Sequence, residues 1–208
     1  MKLASLLFLF TFFSITIANA QIPKGAVWLG GTINYYESKS EEFNSKQQTL
    51  NIRPAIGYVV KENSVVGIQL NFSKSKYEPS NQDQNSYGAD IFMRRYWEIV
   101  KRLYAFGHFR AGYASTHDEV ESANYSKDAK GWTVGVGATP GIAFSINKKF
   151  QLEAGFNDLF YFNYHKSNSD IVNGGITSSF EDHVVSGGLN FENASNLAVG
   201  VRIILGKP

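Results

Sequence analysis

The sequence predicts an all-β fold, an antiparallel up-and-down transmembrane β-barrel of eight strands. Three observations carry this. Apolar residues recur at every second position, the connections between the alternating runs are in turn short and long, and tryptophan and tyrosine gather at the ends of the runs. Composition agrees. The chain of 208 residues is 14% aromatic and holds 19 Gly, yet its mean hydropathy is only −0.20, as alternating strands produce. It has no Cys, which excludes disulfides, thiolate metal centres and a thiol nucleophile. Lys+Arg 20 against Asp+Glu 18 leaves a formal charge of +2, too weak a field to imply nucleic acid as a partner.

The first twenty residues form a separate unit. Lys2 supplies a positive start, Leu3 to Ile17 an apolar stretch, and Ala18-Asn19-Ala20 a small-residue cleavage pattern. The apolar stretch is short for a spanning helix of ~20 residues. The division expected is a cleaved signal peptide at 1–20 and a barrel domain at 21–208.

Within 21–208 the strands expected are 25–36, 49–60, 65–77, 87–98, 103–115, 131–146, 149–164 and 196–205. The clearest is the sixth. There Trp132, Val134, Val136, Ala138, Pro140, Ile142, Phe144 and Ile146 fall on one face, and Thr133, Gly135, Gly137, Thr139, Gly141, Ala143 and Ser145 on the other. Leu50, Ile52, Pro54, Ile56, Tyr58 and Val60 alternate in the same way. So do Val66, Ile68, Leu70 and Phe72, and Leu197, Val199, Val201, Ile203 and Leu205. Connections 61–64, 99–102 and 147–148 are short. Connections 37–48, 78–86, 116–130 and 165–195 are long and polar. Short turns on one side and long polar loops on the other are the outer-membrane barrel pattern. The segment 183–192 either extends the last hairpin above the membrane or adds strands and makes ten.

A secreted ligand-binding barrel also alternates, with its apolar face turned inward. Three features place lipid outside instead. The less apolar face is mostly Gly, Ala, Thr, Ser and Asn, as a narrow lumen requires, and the strands are long enough to cross a bilayer at a tilt. Trp28, Tyr58, Tyr77, Trp97, Tyr113, Trp132 and Tyr164 lie at or near strand ends and are assigned to two aromatic girdles.

Gly137 to Phe144 followed by Asn147 to Phe156 resembles the penultimate hairpin of small outer-membrane β-barrel proteins. These are the porin-like and OmpA-like eight-stranded barrels without a peptidoglycan-binding domain. Phe92-Met93-Arg94-Arg95-Tyr96-Trp97 resembles their aromatic fourth strand, and Asn196 to Leu205 their closing strand. The resemblance implies a Gram-negative cell envelope, with lipopolysaccharide, outer-membrane lipid and the outer-membrane assembly machinery as partners. Many such barrels end on an aromatic residue that this machinery reads, and the ending Leu205-Gly206-Lys207-Pro208 departs from that.

Charges on the lumen faces are the first candidate site. Arg53, Asp90, Arg94, His108, Arg110, Glu153 and Arg202 are expected to meet across the barrel, because unpaired charge in a narrow lumen is costly. The structural reading is a packed lumen; the functional alternative is a narrow ion or proton path. Asp158 fits its strand poorly and calls for a bulge.

The second candidate is Tyr164-His165-Lys166-Ser167-Asn168. His165 and Ser167 share a face, so imidazole can activate the hydroxyl, with Glu181 or Asp182 orienting the imidazole. The His-x-Ser-Asn pattern is similar to the site of lipid A deacylase barrels, which makes a lipid A-modifying acyl hydrolase the enzyme alternative. No catalytic set is favoured over the plain reading of a polar strand edge. The four His lack metal-ligand spacing, so neither metal nor cofactor is expected. The leading expectation is a non-enzymatic barrel with a structural or surface-interaction role, meeting an extracellular partner through 116–130 and 165–195.

Overall fold

A computed structural model describes residues 22–41, 44–122, 124–189 and 197–206. The first twenty residues and 190–196 lie outside this set, and with them the signal-peptide reading and the end of the 183–192 question. Among the described residues ten strands follow one another: β1 Val27–Ser40, β2 Ser45–Lys61, β3 Ser64–Glu78, β4 Gln82–Val100, β5 Leu103–Ser122, β6 Tyr125–Ser145, β7 Phe150–Phe156, β8 Phe160–Asn173, β9 Ile176–Leu189 and β10 Leu197–Leu205.

Eight of them close a ring. Consecutive strands β1 to β7 pair antiparallel, and β10 fills the place between β7 and β1, with Leu197 opposite Phe156 and Val27 opposite Leu205. Closure matters because hydrocarbon offers no partner to an open strand edge. The ten-stranded alternative is therefore resolved in favour of eight: β8 and β9 stack above β7 and β10 and do not widen the ring. Ile176–Leu189 extends the last hairpin, each residue opposite one of Phe160–Asn173.

The join between β7 and β8 is the bulge that Asp158 demanded. In β6, Gly141 stands opposite Gly155, but Ala138 stands opposite Phe160, so the β7–β8 side carries two extra residues. Asp158 takes a left-handed backbone, φ 51°, and turns its carboxylate into the lumen. Gly137 makes room for it, since a Cβ there would lie 2.5 Å from Asp158 Oδ1.

The long polar connections are not loops. β5 and β6 stay paired from Leu103 opposite Phe144 up to Ser122 opposite Tyr125, so most of 116–130 is strand. Likewise 165–189 is the β8–β9 hairpin, turned at Gly174-Gly175. These stretches carry few apolar residues because water lies on both faces, which removes the hydrophobic alternation that marks a strand in sequence. Among the described residues, β1 beyond Ile33 pairs only with β2, and β9 pairs only with β8.

The faces divide as the alternation requires. Ile52, Ile56, Ile68, Ile91, Met93, Val136, Ile142, Leu152, Val199 and Val201 point outward and are exposed, forming the apolar belt. The packed core lies inside the short-turn end of the barrel, where Ile22, Trp28, Val59, Val65, Tyr96, Tyr104 and Ala143 are buried together. Two assignments to the girdles need correction. Trp28 is 0% exposed and points into the lumen, because it shares a face with Gly30 and Thr32 while Val27, Leu29 and Ile33 face out. Tyr77 lies on the inner face of its hairpin, accepting a hydrogen bond from Gln47 Nε2 at 3.2 Å. Tyr58, Trp97 and Tyr113 are half exposed on the outer face. Tyr113, Trp132 and Tyr164 form an outer arc with ring centroids 6.3 and 5.4 Å apart.

Candidate functional site

The lumen holds two tiers of charge. The lower tier is a buried Arg–Glu–Arg group. Period-2 geometry places Arg94 on β4's inner face along with Asp90, with Tyr96 beyond it, Glu153 on β7 and Arg202 on β10. Arg94 Nη1 bonds Glu153 Oε2, and Arg202 Nε lies 2.9 Å from the same oxygen. Tyr96 donates its hydroxyl to Glu153 Oε1 at 2.6 Å and accepts Trp28 Nε1 at 3.0 Å. The Trp28 ring centroid lies 4.9 Å from both guanidinium carbons, so one indole ring stabilises two cations as the carboxylate does. His108 stacks on Phe92 and accepts Arg94 Nε through Nδ1 at 3.1 Å, which leaves the imidazole neutral with its proton on Nε2. Arg202 reaches this group across Gly30, where a Cβ would lie 2.3 Å from Arg202 Cδ.

The upper tier joins Asp90, Arg110, Asp158 and Arg53. Arg110 donates from Nε to Asp158 Oδ1 at 2.8 Å, and its Nη1 lies 3.4 Å from both oxygens of Asp90. Asp90 Oδ2 also accepts Asn71 Nδ2 at 2.8 Å and Gln69 Nε2 at 3.3 Å. Arg53 reaches Asp158 only as a 3.7 Å ion pair. All seven residues expected in the lumen cluster are thus brought together in these two tiers. Between the tiers the free space is about 20 Å³, room for one or two waters. Above the upper tier the lumen opens into a polar vestibule of about 330 Å³.

The second candidate does not assemble as expected. His165 and Ser167 do lie on one face, but His165 Nδ1 is 2.8 Å from Thr133 Oγ1. Glu181 lies on the opposite face, where Lys166 Nζ at 2.9 Å and His183 Nε2 at 2.7 Å engage it. The cause is parity: Asn168 pairs with Glu181, so Glu181 shares the face of Lys166 and not of His165. Asp182, the other expected orienter, stands opposite Ser167 and so shares the face of His165, but among the described hydrogen bonds the imidazole engages Thr133 and not Asp182. Lys166 and His183 hold the Glu181 carboxyl below its ordinary value. At the top of β1, the Tyr35 hydroxyl, the Gln48 amide and Lys39 hold Glu37 down to about 2.

A closed antiparallel ring with an apolar exterior and a charged, filled interior is the geometry that a bilayer demands of a strand protein. Comparison of the sequence with family models returns the outer membrane protein beta-barrel domain over residues 5–202. The chain belongs to that family. The outer-membrane barrel is similar in shape to several solved structures at low identity. Neisserial surface protein A is 15% identical with a TM-score of 0.46, covering 89% of this chain and 97% of that one. OprG from Pseudomonas aeruginosa is 10% identical with a TM-score of 0.49, covering 86% and 96%. A major outer membrane protein from Thermus thermophilus is 8% identical with a TM-score of 0.43, covering 88% and 100%. Comparison with curated proteins finds no match.

The charge pattern of the sequence leaves out five members of the lumen site: Trp28, Gln69, Asn71, Tyr96 and Asp158. Trp28 and Tyr96 were discoverable from parity, since each shares a face with lumen residues of its strand. Gln69 alternates with Ile68 and Leu70 and is 7% exposed, but a neutral amide gave no charge signal. Asp158 was flagged as a misfit, while its partner across the barrel was hidden by the two-residue bulge.

Proposed function

We propose that this outer-membrane barrel is a sealed, non-enzymatic surface-interaction protein, exported by its N-terminal segment. Its hairpins, not its lumen, meet the outside. The observation that carries this reading is the buried lower tier. Arg94, Glu153 and Arg202 are each at most 5% exposed and are wedged against fully buried Trp28 and Tyr96. A group so placed fills an eight-stranded lumen from wall to wall. What remains for recognition is the extramembrane part, the hairpins around 116–130 and 165–189, where both strand faces meet water. Loops and hairpins on a rigid scaffold are where such proteins place function.

The natural absence of Cys makes the test clean. Single cysteines placed at Lys127 and Ser178 should react on intact cells with a membrane-impermeant maleimide. Cysteines at Lys101 and Lys148, in the short turns, should react only after the outer membrane is permeabilised. Equal labelling at all four sites, or labelling only in the periplasmic fraction, would overturn the orientation and the role together.

A further inference from the structure

The vestibule above the plug has a cation at its floor that the protein leaves under-used. Its charged lining consists of Arg53, Asp90 and Arg110. Asp90 is saturated by Arg110, Asn71 and Gln69, and Arg110 is spent on Asp90 and Asp158. Arg53 differs. Its side chain is 20% exposed, its one ion pair is 3.7 Å long, and among the described hydrogen bonds its guanidinium donates none. Its guanidinium, a planar fork of five N–H donors, therefore has donors to spare at a residue that lines the polar cavity.

The lumen as a whole carries a surplus of positive charge. Among the described residues the two tiers bring Arg53, Arg94, Arg110 and Arg202 against Asp90, Glu153 and Asp158, with His108 neutral. In the upper tier Arg53 and Arg110 balance Asp90 and Asp158, and the one positive charge left over lies in the closed lower tier, where Arg94 and Arg202 share Glu153. Uncompensated charge inside a low-dielectric wall is costly, and an anion held at the vestibule floor lowers that cost at a distance.

We infer that the vestibule binds a small hydroxylated carboxylate, of the size of a single sugar acid, on the guanidinium of Arg53. The carboxylate takes the bidentate fork. The walls supply neutral amides and hydroxyls for the hydroxyl groups, among them Asn51, Ser73, Gln84, Thr116 and Asn163. A volume of about 330 Å³ lies at the small end of ligand pockets and excludes a polymer segment. Aspartates on the floor beside Arg53 disfavour a doubly charged phosphate relative to a single carboxylate.

This inference rests on the sealed-lumen reading only in that the ligand enters and leaves by the same mouth. The test is a calorimetric titration of the full barrel, folded in zwitterionic detergent, with sodium glucuronate as probe. Wild type should bind saturably, and glucose, the neutral counterpart, should bind at least tenfold more weakly. Arg53→Gln should lose about 10- to 100-fold in affinity, the range for a hydrogen bond to a charged group. Arg53→Lys keeps the charge and loses the fork, so it should fall between them. Lys130→Gln, on the hairpin, should match wild type. Retained heat-shifted mobility in SDS shows that each variant is folded. Equal affinity for glucose and glucuronate, or an Arg53→Lys variant and a folded Arg53→Gln variant that both bind as wild type does, would overturn the site. Membrane conductance with Arg53-dependent binding would refute sealing and leave the site standing.

Discussion

Tyr96 donates its hydroxyl to Glu153 across the barrel at 2.6 Å, and that bond joins the aromatic half of the plug to the ionic half. Through it Trp28, Arg94 and Arg202 are tied into one buried group spanning β1, β4, β7 and β10. These strands are far apart in sequence. A network that requires all four therefore fixes ring closure and register together.

Removing the single carboxylate should be far worse than removing the whole group. Glu153→Gln leaves two guanidinium groups facing each other with no counter-ion, a loss of about 3–5 kcal/mol. The triple replacement Arg94→Met, Glu153→Leu, Arg202→Met carries no buried charge and should retain a folded barrel near wild-type stability. Urea unfolding midpoints in detergent compare the two directly. A Glu153→Gln variant more stable than the triple variant would contradict the role given to this carboxylate.

Trp28 and Trp97 should report opposite environments. Single-tryptophan variants placed in bilayers of brominated lipid should show strong quenching of Trp97, which is 51% exposed on the outer face. Trp28 emission should be nearly unaffected, because the ring is buried in the lumen beside Arg94 and Arg202. Quenching of both would return Trp28 to the girdle.

That contrast shows how far the sequence can be read. The belt from Trp132 to Ile146 was legible because lipid and lumen impose opposite chemistry on adjacent residues. Strand one was harder, since Gly30-Gly31-Thr32 carries no apolar contrast and Trp28 sits at a strand end where a girdle residue also belongs. The lumen charges were legible as parity. Their pairing was not, because Arg94 finds Glu153 at 59 positions' remove and the two-residue bulge at Asp158 shifts the register between them and the upper tier. The hairpins were misread as loops for a physical reason: with water on both faces, strand and loop have the same composition.

The top of the β1–β2 hairpin should be insensitive to mild acid. Glu37 titrates at about 2, well below its ordinary value of 4.5, because the Tyr35 hydroxyl, Gln48 amide and Lys39 favour the carboxylate. A depressed folded value means that the contribution is fully present above the unfolded value and is lost as pH falls through about 2. The Gln48 side-chain amide resonance should therefore hold its position from pH 7 to about 4 and move only as pH approaches about 2. Movement centred near the ordinary glutamate value would remove the cluster.

His165 should be dispensable for lipid A chemistry. The imidazole is engaged with Thr133, and Glu181 lies on the other face of the sheet. Mass spectra of lipid A from cells carrying wild type, His165→Ala and a deletion should be identical. A species missing an acyl chain in wild type alone would establish the hydrolase instead.

The sealed lumen is tested most directly by planar-bilayer recording of the purified barrel in high salt. Wild type should insert without discrete conductance steps even at high voltage, since Trp28, Tyr96 and the Arg94–Glu153–Arg202 group fill the cross-section. Replacing Trp28, Arg94 and Glu153 together by Ala should open measurable steps through the same protein. Unitary conductance in wild type that changes with Arg94 or Arg110 substitution would contradict the seal and make the lumen a channel.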